Sequence, residues 1–187
     1  MIVVVVGGIG TGKSAVMRIL EDLGEKVLSA DAINKELLVD RDYIKVIGDN
    51  FSGVVFDGQI DKQALRNIIF NDESARKKLN EIAHPRIFSK IENRARDYKR
   101  VFVEIPLFEE CAENVKYDKI CAVKAPLAAR ISRVSTRDGI SIESAKKIID
   151  VQAKEERVYD KADFIINNDG DMRKLEEQVL RMIANVK

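Results

Sequence analysis

Ile2-Val3-Val4-Val5-Val6-Gly7-Gly8-Ile9-Gly10-Thr11-Gly12-Lys13-Ser14 is the stretch from which the fold is read. Five consecutive β-branched residues make a strand buried on both faces, as inside a parallel sheet. Residues 7–14 then match Gly-x-x-x-x-Gly-Lys-Ser in full, and a helical pattern over 15–23 follows. The motif therefore stands between strand and helix, as its chemistry requires. Its glycines let the backbone fold so that successive N–H groups converge on an anion. The helix start adds partial positive charge. Gly8, Ile9, Gly10, Thr11, Gly12, Lys13, Ser14 and Ala15 are the expected cradle for a triphosphate. Lys13 should reach the β- and γ-phosphates, and the Ser14 hydroxyl should meet Mg²⁺. The motif predicts a nucleoside triphosphate and leaves the acceptor open.

Apolar runs at 26–30, 101–105, 120–123 and 164–166 read as further strands, alternating with helical patterns. Met172, Leu175, Val179, Met182 and Ile183 recur at helical spacing and are expected to face the core. This alternation argues for an α/β protein with a parallel sheet and right-handed crossovers. Residues 32–99 break it, with polar helical patterns at 63–69 and 73–82 and a loop expected at 52–58. So long an excursion predicts a helical insertion that holds a substrate. The expected organisation is one domain: a core of about 1–31, 100–129 and 157–187, the insertion at 32–99, and a charge-rich lid at 130–156.

Of the 187 residues, 45% are hydrophobic and 34% charged, which excludes a disordered chain. A formal net charge of +1 gives no field pointing to nucleic acid or a membrane surface. No apolar run approaches the roughly 18 residues that cross a bilayer. The N-terminal run lacks a basic leader and reads as a strand rather than a signal peptide. Cys111 and Cys121 have no metal-ligand spacing and read as reduced packing residues of a cytoplasmic protein.

Several side chains could carry chemistry beside the loop. Asp31 ends the second strand segment, where a carboxylate could orient an acceptor hydroxyl. It could equally cap the helix that starts there. Glu104, near the end of 101–105, stands where an acid could hold Mg²⁺ or simply face solvent. Arg130, Arg133 and Arg137, at i, i+3 and i+7, line one helix face. That row is either a phosphate clamp or a solvated face. His84, before Pro85, reads as structural, since phosphoryl transfer needs no histidine. Asp138-Gly139 should end the helix, with Ser141 capping the next.

In order over nearly the whole chain, these residues resemble the dephospho-CoA kinases. The resemblance is carried by Gly7-Gly8-Ile9-Gly10-Thr11-Gly12-Lys13-Ser14, by Ser29-Ala30-Asp31 in place of an Asp-Ala-Asp triplet, and by Ile60-Asp61-Lys62-Gln63-Ala64-Leu65-Arg66 with Phe70. It continues through His84-Pro85-Arg86-Ile87, Glu104-Ile105-Pro106-Leu107, Arg133 with Arg137-Asp138-Gly139 and Gln152, and Ala162-Asp163-Phe164-Ile165-Ile166 with Asn168 and Gly170. It differs at Ser29, at Ala15 for Thr, at Arg130 for Gln and at Ile148 for Arg. Either Glu109 or Glu110 matches the acid after the Pro-Leu turn.

The resemblance implies a P-loop NTPase kinase fold, a five-stranded parallel sheet flanked by helices, with a helical substrate lobe and an arginine lid. The implied reaction is ATP-dependent phosphorylation of the ribose 3′-hydroxyl of dephospho-CoA, the last step of CoA synthesis. Asp31 would be the base, with Lys13, Arg133 and Arg137 completing the catalytic set. His84, Glu104 and Pro106 would border the acceptor, Ser14 and Glu104 would hold Mg²⁺, and Asn168 and Gly170 would lie near the adenine. The partners implied are ATP and dephospho-CoA, without nucleic acid or membrane, on a monomer or weak homo-oligomer. A nucleoside monophosphate kinase is the nearest alternative. A GTPase-like switch lacks its Asp-x-x-Gly here, and Lys13, Ser14 and Asp31 argue against an inactive relative.

Overall fold

The valine run forms β1 (Ile2–Val6) at the centre of a sheet in the computed structural model, which describes residues 1–186. Val3, Val4, Val5 and Val6 are all 0% exposed, so both faces of the strand are covered. After the phosphate loop come α1 (Lys13–Asp22) and β2 (Lys26–Ser29). Residues Ala30–Arg94 then form a compact unit of their own. It holds α2 (Ala30–Leu37), α3 (Arg41–Asn50), β3 (Val55–Phe56), β4 (Gln59–Ile60), α4 (Lys62–Asn71) and most of α5 (Glu73–Ala95). The sheet resumes with β5 (Val101–Glu104) and β6 (Lys119–Lys124). The chain closes with α6 (Leu127–Asp138), α7 (Ile142–Val151), a 3₁₀ segment (Ala153–Lys161), β7 (Phe164–Asn167) and α8 (Met172–Asn185).

The five sheet strands run in the order β2-β5-β1-β6-β7, and all neighbours are parallel. The order reverses at β1, which puts the loop at 7–14 at the switch point where open α/β sheets hold ligands. On one face, α1 and α8 bury Val3, Val5, Phe102, Cys121, Val123 and Ile166 under Val16, Leu20, Leu175, Val179 and Met182. Each fully buried side chain of this size stabilises by roughly 1.5–3 kcal/mol. Met172, expected in the core, is 60% exposed. It directly follows the Asp171 cap, and the apolar stripe of α8 meets the sheet only from Leu175 onward.

In the helical unit, Asp40 and Asp61 cap α3 and α4 by accepting from Tyr43 N–H and from Gln63 and Ala64 N–H. The expected loop at 52–58 is instead part of a hairpin, β3 pairing antiparallel with β4. Asp57 (φ 48) and Gly58 (φ 72) form its two-residue turn, the geometry that follows the twist of the flanking strands. The pattern read at 73–82 is only the first part of α5, a 23-residue helix that runs through Pro85.

Candidate active site

α1 starts at Lys13 with Gly12 as its cap, in the left-handed region (φ 96) and with no side-chain cap. A Cβ at Gly12 would lie 2.0 Å from Asn168 Nδ2, so both backbone angle and space demand glycine there. Thr11 is fully buried, its hydroxyl donating to Gly8 C=O at 2.9 Å. The Lys13 ammonium donates to the carbonyls of Gly7 (2.8 Å) and Gly8 (3.3 Å) and stays with the loop. The Ser14 hydroxyl donates to Glu104 Oε1 at 3.4 Å, so the two expected Mg²⁺ ligands come together. Glu104 ends β5, beside Val5 of β1 on one side and Ser29 of β2 on the other.

The row of three arginines does not behave as one face. Arg130 is buried, donating from Nε to Ile9 C=O at 3.0 Å and from Nη1 to Glu156 Oε1 at 2.7 Å. Arg133, half-buried, donates to the carbonyls of Gly10 and Thr11 and to both oxygens of Asn168 at 3.2–3.3 Å. Arg137 is exposed and paired with its neighbour Asp138. It stands in the last turn of α6, and the helix ends at Gly139 (φ 64). The fully solvated alternative is therefore wrong for Arg130 and Arg133, whose turn of α6 packs against the phosphate loop. Asn168 is buried and donates from Nδ2 to Thr11 C=O at 2.9 Å, while Gly170 is exposed.

Asp31 lies in the first turn of α2, which opens at Ala30. It lies two residues past the cap position, Ser29, and its carboxylate suits the positive helix end. His84 sits on α5 with its ring tilted against Phe88, centroids 5.5 Å apart. Pro106 follows Ile105 out of β5 and precedes Leu107, which holds φ 49 and starts a 3₁₀ turn. Such a backbone angle costs a non-glycine residue on the order of 1 kcal/mol. Glu109 and Glu110 are both taken by lysines of the 3₁₀ segment, Lys161 and Lys154. The sequence does not mark out Glu155 or Glu156, because two adjacent acids in a charged stretch carry no local sign that one of them is buried. Cys111 and Cys121 are free and buried, and burial pushes both thiols up to about 12.

The family profile described as dephospho-CoA kinase matches residues 1–174. The chain belongs to the dephospho-CoA kinase family. A dephospho-CoA kinase of Aromatoleum aromaticum is 36% identical over 184 residues, 95% of this chain and 90% of the relative. The solved dephospho-CoA kinase of Campylobacter jejuni superposes with a TM-score of 0.64 at 30% identity, covering 100% of this chain and 97% of that one. A Thermus thermophilus protein of known crystal structure reaches a TM-score of 0.85 at 28% identity, over 100% and 98% of the two chains. The P-loop kinase fold that the resemblance to dephospho-CoA kinases implied is the fold found. Membership in the dephospho-CoA kinase family also sets aside the monophosphate kinase alternative.

Proposed function

We propose that this chain transfers the γ-phosphoryl group of ATP to the ribose 3′-hydroxyl of dephospho-CoA, giving CoA and ADP. The match of residues 1–174 to the dephospho-CoA kinase family carries the reading. The acceptor oxygen bonds to the γ-phosphorus as the bond to the β–γ bridging oxygen breaks, and that electron pair leaves with ADP. The hydroxyl proton passes to a carboxylate, the role assigned to Asp31. Charge on the transferring group spreads over three oxygens, so positioning and cationic stabilisation do most of the work.

The backbone of Gly8 to Ala15 holds the phosphates, and Lys13 leaves the Gly7 and Gly8 carbonyls to meet the β- and γ-oxygens when nucleotide binds. Ser14 Oγ and Glu104 Oε1, 3.4 Å apart, are hard oxygen donors on neighbouring elements. They suit Mg²⁺, which takes one or two protein oxygens and keeps phosphate and water for the rest. When bound, the ion neutralises charge on the β- and γ-phosphates. Arg133 and Arg137 are the lid arginines of this reading, Asn168 and Gly170 border the adenine, and His84 and Pro106 border the acceptor. The working form is a monomer or weak homo-oligomer in the cytoplasm. Among the described residues no helix is long and apolar enough to cross a membrane.

The test is ADP release from ATP and Mg²⁺ with and without dephospho-CoA, in the wild type and in Asp31→Asn. Acceptor-dependent release with CoA as product is expected. Asp31→Asn should fold and bind ATP yet transfer slower by about 10²–10⁴. Release that ignores the acceptor would sink the acceptor assignment, and unchanged transfer in Asp31→Asn would remove the base.

A further inference from the structure

Arg130 is 3% exposed, and its guanidinium is divided between the phosphate loop and the 3₁₀ segment. Nε holds Ile9 C=O, and Nη1 holds Glu156 of the 3₁₀ segment. Nη2 is sealed from solvent and has no partner among the described residues. It lies 2.5 Å from where a Cβ on Gly8 would stand, so any side chain there would displace the guanidinium. A Cβ on Gly10 would meet the Arg130 backbone oxygen at 2.8 Å. Helix α6 thus lies directly against the loop.

Ile9, half-buried, is held at its N–H, its C=O and its side chain by this region. Its N–H donates to Gln152 Oε1 at 3.2 Å, and its side chain packs on Val134, Ala145 and Ile149. The next two carbonyls, Gly10 and Thr11, accept from Arg133. Three successive carbonyls are therefore fastened to guanidiniums on the α6 side. In a loop that binds an anion through its N–H groups, carbonyls held away leave the remaining amides to the ligand, although Ile9 N–H goes to Gln152 and Thr11 N–H to Gly8 C=O. Nη2 is closed to solvent and thus to a ligand, so Arg130 acts through the loop it supports.

We propose that Arg130 is a positioning residue for the β- and γ-phosphates of the nucleotide, holding the Gly8–Gly10 backbone in its anion-binding form with Glu156 as outer anchor. This rests on the reading that the loop at 7–14 binds ATP. The experiment is calorimetric titration of ATP, ADP and AMP, each with Mg²⁺, into wild type, Arg130→Gln, Arg130→Lys, Glu156→Ala and the double variant Arg130→Gln/Glu156→Ala. Arg130→Gln should raise the Kd for ATP about tenfold, the scale of one charge-assisted hydrogen bond. The rise should be smaller for ADP and absent for AMP, which lacks both distal phosphates. Arg130→Lys should recover part of the loss.

Glu156→Ala, at a half-exposed site, should weaken ATP in the same direction by less. The double variant should be no worse than Arg130→Gln alone, because Glu156 acts through Arg130. Unchanged ATP affinity in Arg130→Gln, or equal weakening of ATP and AMP, would overturn the proposal. If Arg130→Gln does not fold, unchanged ATP affinity in Glu156→Ala overturns it instead. A wild-type chain that binds no ATP would overturn the nucleotide reading beneath it.

Discussion

Glu155 is 1% exposed, with one carboxylate oxygen accepting from Glu109 N–H at 3.3 Å and the other without a partner among the described residues. Burial raises its pKa above the ordinary 4.5; the Glu109 N–H opposes this, and the charges of Glu110 and Glu109 add to it. Between the unfolded value and the raised folded value, the folded chain binds more protons than the unfolded one. Stability therefore falls as pH rises through that window, and the full penalty is present above it. Glu155→Gln should raise the Tm at neutral pH, with the gain fading as pH falls through the raised folded value toward 4.5 and absent below it. Thermal unfolding of both forms from pH 4 to 8 checks this, and a gain that survives at acid pH would point to packing instead. At the loop, Lys13→Ala should lower kcat by on the order of 10² or more. Near wild-type turnover would remove Lys13 from the phosphate chemistry.

Helix α5 carries Pro85 in its interior, where proline has no N–H to give Glu81 C=O and crowds that carbonyl. Substitution by alanine restores the bond and should stabilise by roughly 1–3 kcal/mol. Urea unfolding of Pro85→Ala measures it, and an unchanged or lower midpoint would mean that the helix is bent to suit the proline. Other ends are set by local chemistry. Ser141 accepts from Ser144 N–H to open α7, and Gly139 closes α6 in the left-handed region. The β3–β4 hairpin was legible in Asp57-Gly58, the dipeptide such turns require, but two-residue strands have too little periodicity to stand out.

The whole chain comprises two compact units, Ala30–Arg94 and the sheet unit formed by Met1–Ser29 with the chain from Ala95 onward. The sheet unit holds the phosphate loop, so a nucleotide bound there stabilises the folded state by mass action. ATP with Mg²⁺ at 100 times its Kd should add about 2.7 kcal/mol to the unfolding free energy. Differential scanning calorimetry should show a Tm that climbs with ATP in the wild type and in Asp31→Asn, and much less in Lys13→Ala. Equal shifts in all three would separate nucleotide binding from the loop.

From the residues alone came the central strand, the loop and its following helix, and the caps at Ser141 and Gly139. Each depends on neighbours a few positions away: a β-branched run, a glycine spacing, a hydroxyl before a helix. The order of the motifs along the chain was equally legible and carried the family. Only the tertiary structure decided that Arg130 and Glu155 are buried, that Gln152 accepts from Ile9 N–H 143 residues away, and that Asn168 fills the space a side chain at Gly12 would need. A charged residue has the same local signature whether it faces water or a backbone carbonyl. Which of the two it meets is settled when β6, α6 and the 3₁₀ segment fold against a loop formed at the start of the chain.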